Sequence, residues 1–348
     1  MNRNSFPDDF LWGASTASHQ VEGGNYNQWS VWEQANAEQM AKRAEGYLKS
    51  PGKYSHGVDW DSIDAKATDP DNYVSGAGVD HYNRYKEDFS LLQSLNMNAF
   101  RFGIEWSRVE PQQGEWDEEA IAHYHAYIAD LKSRGIEPIL TLWHWTMPVW
   151  FTDKGGFANK QNLVYFDAYV AKMSTEFGSE VDYVLTLNEP NVYASMSYIV
   201  GEWPPQQKSL RTGMRVYRNL MQVHNRANVI LKRDNPNLQV GLAMNLACNY
   251  AKAPHNLFNR LVIHIRDHVW NLTHTHFSLQ SVTEPEPPES VAAVAYVVAA
   301  ASIPRSSETS SVVSWGVTVS AVRASGLLLP GNTRRATSPR KQTATDCE

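Results

Sequence analysis

Residues 182–190 of this 348-residue chain read Asp-Tyr-Val-Leu-Thr-Leu-Asn-Glu-Pro, an apolar run that ends in polar residues. The run over residues 182–187 is rich in β-branched and large apolar side chains and predicts a buried strand, which Pro190 would not continue. Asn188 and Glu189 would therefore lie at the carboxyl end of that strand. In a β/α barrel this end carries the catalytic residues. The same residues could instead form an ordinary strand-ending turn with a solvated glutamate.

The residues up to about 271 alternate between short apolar runs and helical patterns. Further strands are predicted at residues 10–14, 98–104, 138–143 and 239–245. The clearest helix begins at Asp117, a typical N-cap residue, and ends at Gly135. This alternation is typical of a parallel α/β architecture, and we predict a (β/α)8 TIM barrel with about five of its eight strand–helix units present.

Two segments depart from the alternation. Residues 36–75 are polar and predict a long loop overhanging the face where the carboxyl ends of the strands meet. Beyond residue 271 the periodicity disappears and Ser, Thr, Pro and Arg become frequent. We predict a partial barrel domain over residues 1–271 and an irregular or disordered tail over residues 272–348. A change of reading frame near residues 272–280 would also explain the tail, because the barrel pattern stops partway through the architecture.

Composition excludes several classes of function. The net charge of -6 and the pI near 6.1 provide no basic surface for nucleic acid. The two cysteines, Cys248 and Cys347, predict neither a disulfide framework nor a zinc cluster, and this cysteine usage favours a cytoplasmic protein. No apolar run reaches the roughly 18 residues of a membrane span, and the start lacks the apolar core of a signal peptide.

The aromatic content favours one class of ligand. The chain contains 12 tryptophans and 16 tyrosines. Aromatic rings present flat apolar faces with polar edges, which suit the C–H faces and hydroxyl rims of sugars. A large α/β core also consumes aromatic residues, so composition alone leaves both interpretations open.

A resemblance to a known family rests first on residues 10–24, which read FLWGASTASHQVEGG. This segment resembles the N-terminal signature of glycoside hydrolase family 1. Other segments resemble the family in its order along the chain. They are residues 78–88, 100–108, 135–138, 141–148, 186–190 and 201–205. The resemblance covers about residues 6–271 and implies a barrel enzyme that hydrolyses β-glucosides or β-galactosides at the non-reducing end with retention of configuration.

The resemblance implies a role for six residues. Gln20, His144 and Asn188 would bind sugar hydroxyls, and Trp145 would line the same pocket. Glu189 would act as the general acid and base, and Arg101 would hydrogen-bond the nucleophilic carboxylate. Considered singly, His144 and Trp145 could be core residues and Arg101 an ion-pair partner. The resemblance implies no metal and no cofactor, and it implies small β-glycosides or oligosaccharides as partners.

The chain departs from the family at the nucleophile. In the family this residue is the glutamate of a Thr-Glu-Asn-Gly segment, and no such segment occurs in the sequence. Glu22 and Glu105 follow the first and second predicted strands, but neither lies in a motif that would make it a substitute. We therefore predict that the chain as given is inactive. The alternative is a non-catalytic fragment that binds sugar or regulates another protein.

Overall fold

The computed structural model describes residue 6 and residues 10–49, 65–248, 257–267, 294–295 and 315–320. Its centre is a sheet whose first five strands are parallel and follow the order of the chain. They are β1 (Gly13–Ser15), β2 (Ala99–Gly103), β3 (Glu137–Thr141), β4 (Tyr183–Asn188) and β5 (Gln239–Cys248). All five predicted strands are confirmed, and the described part of the chain is a half-barrel.

Two further strands lie beside β5. They are β6 (Val294–Ala295) and β7 (Trp315–Ser320). β7 pairs with β5 in the antiparallel direction, and β6 pairs with β7 in the same way. Both strands come from the segment predicted to be irregular, of which the rest lies outside the described residues.

Helices follow or flank the parallel strands. They are α1 (Ser18–Val21), α2 (Gln28–Lys49), α3 (His81–Ser94), α4 (Trp106–Val109), α5 (Glu118–Ser133), α6 (Val149–Asp153), α7 (Leu163–Phe177), α8 (Pro190–Ala194), α9 (Leu210–Asp234) and α10 (Leu257–Asp267). Short 3-10 turns cover Ala65–Thr68, Pro70–Tyr73, Gly156–Ala158 and Lys160–Asn162, and a π-helical turn covers Ser195–Val200. Within the described ranges, no helix is long and apolar enough to cross a membrane.

The predicted helix over residues 117–135 is confirmed in detail. Asp117 Oδ1 accepts a hydrogen bond from the Ala120 amide at 2.9 Å, which satisfies one of the free donors at the start of α5. Gly135 follows the helix with φ +71°, a conformation that other residues adopt only at a cost. On α3, Tyr85, Phe89 and Leu92 are buried at helical spacing, whereas Leu95, beyond the end of the helix, is 64% exposed.

The predicted loop over residues 36–75 is wrong in its first part, because α2 extends to Lys49. Three alanines on this helix, Ala37, Ala41 and Ala44, are buried at helical spacing. Alanine has the highest intrinsic helix propensity and allows close packing. The polar composition of the segment concealed this pattern. Residues 50–64 of the predicted loop lie outside the described part.

Two apolar cores lie on opposite sides of the strands. The larger core fills the space between the strands and the outer helices and is rich in aromatic rings. The smaller core lies on the inner face and consists of Ala99, Ile139, Leu185 and Ala243, one residue from each of four neighbouring strands. Such layers are the usual filling of a β/α barrel. This inner layer forms an apolar floor beneath the polar residues at the carboxyl ends of the strands.

A buried polar cluster joins the segments that follow β1 and β2. Tyr124 donates a hydrogen bond to Glu22 at 2.8 Å, and Arg108 Nε lies 3.3 Å from the second oxygen of Glu22. Within the described residues, neither Arg108 Nε nor Glu22 Oε2 has an aligned hydrogen-bond partner. Burial raises the pKa of Glu22 to about 7, because the cost of burying the charge exceeds the attraction of Arg108. Glu22 therefore binds a proton in the folded chain over a range where an exposed glutamate does not.

Replacement of Glu22 by Gln should change how stability depends on pH. The folded chain keeps the Glu22 proton up to about pH 7, whereas the unfolded chain releases it near the ordinary glutamate pKa of 4.5. The contribution of Glu22 to the free energy of unfolding is therefore fully present below pH 4.5 and is lost as the pH rises through 7. Between pH 5 and 8 the native chain should lose a few kcal/mol more unfolding free energy than Glu22→Gln, as measured by urea denaturation.

The matched control is Glu119→Gln, which alters an exposed glutamate on the nearby helix α5. This variant should keep the pH dependence of the native chain. If the unfolding free energy changed equally with pH in the native chain and in Glu22→Gln, the assignment of a raised pKa to Glu22 would be contradicted.

Candidate active site

The end of β4 is irregular, and this irregularity positions the predicted site residues. Leu185 belongs to the inner apolar core, whereas Leu187 belongs to the outer one. In a regular strand two residues at this spacing would face the same side. The pairing of β4 with β5 shifts register between Leu185 and Asn188, as in a β-bulge. The bulge allows Asn188 to turn to the inner face above the apolar floor.

Asn188 is held by a buried arginine from β2. Arg101 donates one hydrogen bond to Asn188 Oδ1 at 2.6 Å and another to Thr141 Oγ1 on β3 at 2.9 Å. All three side chains are buried. Because the guanidinium group can only donate, it fixes the oxygen side of the Asn188 amide. The Nδ2 group of Asn188 is therefore available as a donor on the side away from Arg101.

Glu189 follows directly in the left-handed conformation, with φ 42° and ψ 57°. This conformation is uncommon for residues other than glycine. The Glu189 amide donates to the carbonyl of Ala243 on β5 at 2.8 Å, which ties the turn to the neighbouring strand. The residue is only partly buried. Its carboxyl group lies at the carboxyl end of β4, as the sequence predicts.

Asn245 on β5 is a site residue that the sequence analysis did not assign. Its Nδ2 donates to Glu189 Oε1 at 3.1 Å, and its carbonyl accepts a hydrogen bond from Asn191 at 2.9 Å. The sequence contains one weak indication of this role, because Asn245 is a polar residue at the end of a predicted strand. Asn245 therefore orients one oxygen of the Glu189 carboxyl group.

His144 lies in the segment that follows β3. Burial, and secondarily the positive charge of Arg101, hold the pKa of His144 well below its usual range. The ring is therefore neutral near pH 7, with one nitrogen as donor and the other as acceptor. The described residues provide no hydrogen-bond partner for its buried Nδ1. A neutral imidazole can exchange hydrogen bonds with a hydroxyl group without adding charge to the site.

Trp145 connects the same segment to the end of β4. Its indole Nε1 donates to the carbonyl of Asn188 at 2.9 Å, although the two residues are 43 positions apart. The ring is nearly parallel to Trp29 at a centroid distance of 6.4 Å and contacts Trp203 at 4.6 Å. Trp145 itself has φ +76°, a second left-handed residue beside the site. The three rings form an aromatic wall, which the Trp145 indole links to Asn188, the residue before Glu189.

The structure brings several of the predicted residues into contact. Arg101, Trp145 and Asn188 are joined by direct hydrogen bonds, and Glu189 adjoins Asn188 in the chain. Gln20 lies on α1 with an exposed side chain, and it makes no side-chain hydrogen bond to these residues within the described ranges. Its predicted contact with a sugar remains a prediction.

The other acidic residues near the strand ends have different partners. Glu22 is bonded to Tyr124, and Glu105 accepts hydrogen bonds from Ser107 and Thr146, each at 2.8 Å. Neither carboxyl group is hydrogen-bonded to the Asn188–Glu189 segment. The described part of the chain contains no group of three or more His, Cys, Asp or Glu side chains suited to a metal ion.

Known proteins share this architecture. The chain is 31% identical over 251 residues to beta-glucosidase A of Acetivibrio thermocellus, which covers 72% of this chain and 51% of that protein. It is 34% identical over 210 residues to an aryl-phospho-beta-D-glucosidase of Bacillus subtilis, covering 59% of this chain and 36% of that protein. Among solved structures, the beta-glycosidase of Pyrococcus horikoshii superposes with a TM-score of 0.64 at 32% identity, covering 78% of this chain and 55% of that one.

These comparisons define the extent of the likeness. The chain spans about half the length of the Acetivibrio beta-glucosidase A, at 51%, and of the Pyrococcus beta-glycosidase, at 55%. The sequence model of glycosyl hydrolase family 1 matches residues 2–282, which is most of the 348 residues. The chain therefore belongs to glycosyl hydrolase family 1.

Proposed function

We propose that this chain carries the acid–base half of the active site of a retaining β-glycosidase, with Glu189 as the general acid and base. The observation that carries the proposal is the arrangement at the end of β4. Asn188 is fixed by Arg101 at 2.6 Å, and the adjacent Glu189 is oriented by Asn245 at 3.1 Å. A carboxyl group that is oriented at a strand end can act as a general acid and base toward a glycosidic oxygen.

The proposed substrates are β-linked glucosides or galactosides, cleaved at the non-reducing end without a metal or cofactor. His144 and Asn188 would bind the hydroxyls of the terminal sugar, and Trp145 would form one wall of its pocket. Gln20 would complete these contacts from α1. Names of relatives such as beta-glucosidase A support this substrate class. A cytoplasmic location remains part of the proposal and rests on cysteine usage.

We further propose that these 348 residues do not complete the reaction by themselves. A retaining glycosidase needs two carboxyl groups roughly 5–5.5 Å apart, one as acid and one as nucleophile. The sequence has no Thr-Glu-Asn-Gly segment, and Glu22 and Glu105 are engaged elsewhere. Arg101, whose role in the family would be to support the nucleophile, donates to Asn188 and Thr141.

A second candidate function is sugar binding without turnover. It is favoured by the neutral state of His144 and by the fixed amide of Asn188, since both are binding groups and neither requires a nucleophile. The two candidates share one pocket and differ in whether Glu189 transfers a proton.

Binding can be measured by titration calorimetry with 1-deoxynojirimycin, which occupies a Thermotoga maritima β-glucosidase in a solved structure. The native chain should bind it, and His144→Gln should weaken binding roughly tenfold through loss of a hydrogen bond in a poorly solvated pocket. His264→Gln, on the exposed face of α10, is the matched control and should bind as the native chain does. Absence of binding by the native chain would contradict the sugar pocket.

Proton donation can be tested by supplying the nucleophile from solution. Azide would bond to the anomeric carbon of an aryl β-glucoside as the bond to the phenolic oxygen breaks, and Glu189 would protonate that oxygen. With phenyl β-glucoside, Glu189→Gln should slow glucosyl azide formation roughly 10²–10⁴-fold. With 2,4-dinitrophenyl β-glucoside, whose leaving group needs no proton, the rate of the variant should change little.

The control for this experiment is Glu119→Gln, which should match the native chain with both glucosides. An equal loss with both leaving groups in Glu189→Gln would argue against a proton donor. Release of glucose by the native chain in the absence of azide would show that a nucleophile is present and would overturn the proposed incompleteness.

A further inference from the structure

The turn that carries His144 and Trp145 requires support from outside its own strand. Trp145 has φ +76°, in the left-handed region where bulky side chains are rarely found. Within the described chain, the left-handed residues other than glycine are Asp80, Asn96, Trp145, Glu189 and Gln206. Two of these, Trp145 and Glu189, lie at the candidate site. Such a conformation persists only where neighbouring groups hold it in place.

Gln28, the first residue of α2, makes three hydrogen bonds to this turn. Its side-chain Nε2 donates to the carbonyl of Trp145 at 2.9 Å, and its Oε1 accepts from the amide of Met147 at 2.5 Å. Its own amide donates to the carbonyl of Met147 at 3.1 Å. The side-chain amide thus pairs with the backbone on both sides of Thr146, much as a neighbouring strand would.

The turn is in turn hydrogen-bonded to the end of β4. Trp145 Nε1 donates to the carbonyl of Asn188, whose next residue in the chain is Glu189. Trp29, which follows Gln28 on α2, lies nearly parallel to the Trp145 ring at 20°. A displacement of the Trp145 backbone would therefore move both the aromatic wall and its hydrogen bond to the end of β4.

We propose that Gln28 is a positioning residue for the sugar pocket: it fixes the left-handed turn at Trp145 and, through the indole, the end of β4. Gln28 itself acts through Trp145 and is not assigned a contact with substrate. This inference rests on the proposed function insofar as it concerns a sugar. The positioning of Trp145 itself can be tested without any ligand.

The side-chain amide is suited to this task because it combines a donor with an acceptor. A hydrophobic residue of similar length would leave the carbonyl of Trp145 and the amide of Met147 without these partners. A glutamate would keep the acceptor for Met147 and lose the donor for Trp145. These two changes separate the two side-chain bonds.

The first measurement is ¹⁹F NMR of chain labelled with 5-fluorotryptophan, in which Trp145→Phe identifies the Trp145 resonance by its loss. Gln28→Met and Gln28→Glu should both shift this resonance, because both remove the donor to the Trp145 carbonyl. Gln34→Met is the matched control: it makes the same change at an exposed position of α2 and should leave the resonance in place. Urea denaturation checks that each variant is folded.

The second measurement is binding of 1-deoxynojirimycin by titration calorimetry. Gln28→Met should weaken binding roughly tenfold, because a pocket displaced by a fraction of an ångström loses its hydrogen-bond geometry. Gln28→Glu should also weaken binding, and Gln34→Met should bind within about twofold of the native chain. A purely structural role of Gln28 would lower the urea midpoint and leave the affinity of the folded protein unchanged.

The two measurements test separate claims, and each claim can be contradicted without the other. An unshifted Trp145 resonance in folded Gln28→Met, or in folded Gln28→Glu if the first variant does not fold, would overturn the role of Gln28. Native affinity in the folded Gln28 variants would overturn its effect on the pocket. Absence of binding by the native chain would instead contradict the proposed function, and the fluorine resonance would still decide whether Gln28 holds Trp145.

Discussion

The arrangement of the candidate site depends on the hydrogen bond from Arg101 to the side-chain oxygen of Asn188, at 2.6 Å. A guanidinium group on the inner face of a sheet is costly to bury unless its donors find acceptors. Thr141 and Asn188 supply acceptors from the next strand and from the one beyond it. Because Arg101 belongs to the second strand, this single side chain links three successive strands at the level where the inner face changes from apolar to polar.

The same charge governs the electrostatics of the neighbouring side chains. Together with the larger effect of burial, Arg101 holds the pKa of His144 well below its usual range, so that the imidazole is uncharged beside it. An uncharged ring avoids a second positive charge in a poorly solvated region. Among the described residues, Arg101, His144 and Asn188 bring a positive charge, a neutral imidazole and an oriented amide to this region, and Glu189 lies beside them in the chain.

Backbone irregularities at the site are supported by long-range contacts. The bulge in β4 turns Asn188 inward, and the left-handed Glu189 is tied to β5 through the carbonyl of Ala243. The left-handed Trp145 is tied to α2 through Gln28. Each departure from regular geometry coincides with a hydrogen bond from a different element. Irregular backbone of this kind concentrates at functional sites, where the surrounding structure sustains it.

The five parallel strands, the capped helix that begins at Asp117, and the position of Asn188 and Glu189 at a strand end can all be predicted from the sequence. These features are encoded by neighbouring residues, through apolar periodicity, capping and turn chemistry, so a local pattern is sufficient to predict them. The resemblance of residues 10–24 and of the later segments also predicts roles for Arg101, His144 and Trp145. The contacts of these residues become visible in the folded chain alone. Arg101 meets Asn188 across 87 positions, Asn245 meets Glu189 across 56, and Gln28 meets Trp145 across 117. The reason is physical: a hydrogen bond between distant residues depends on strand register, on the bulge in β4 and on the path of α2, and none of these is specified by the residues beside it in the chain.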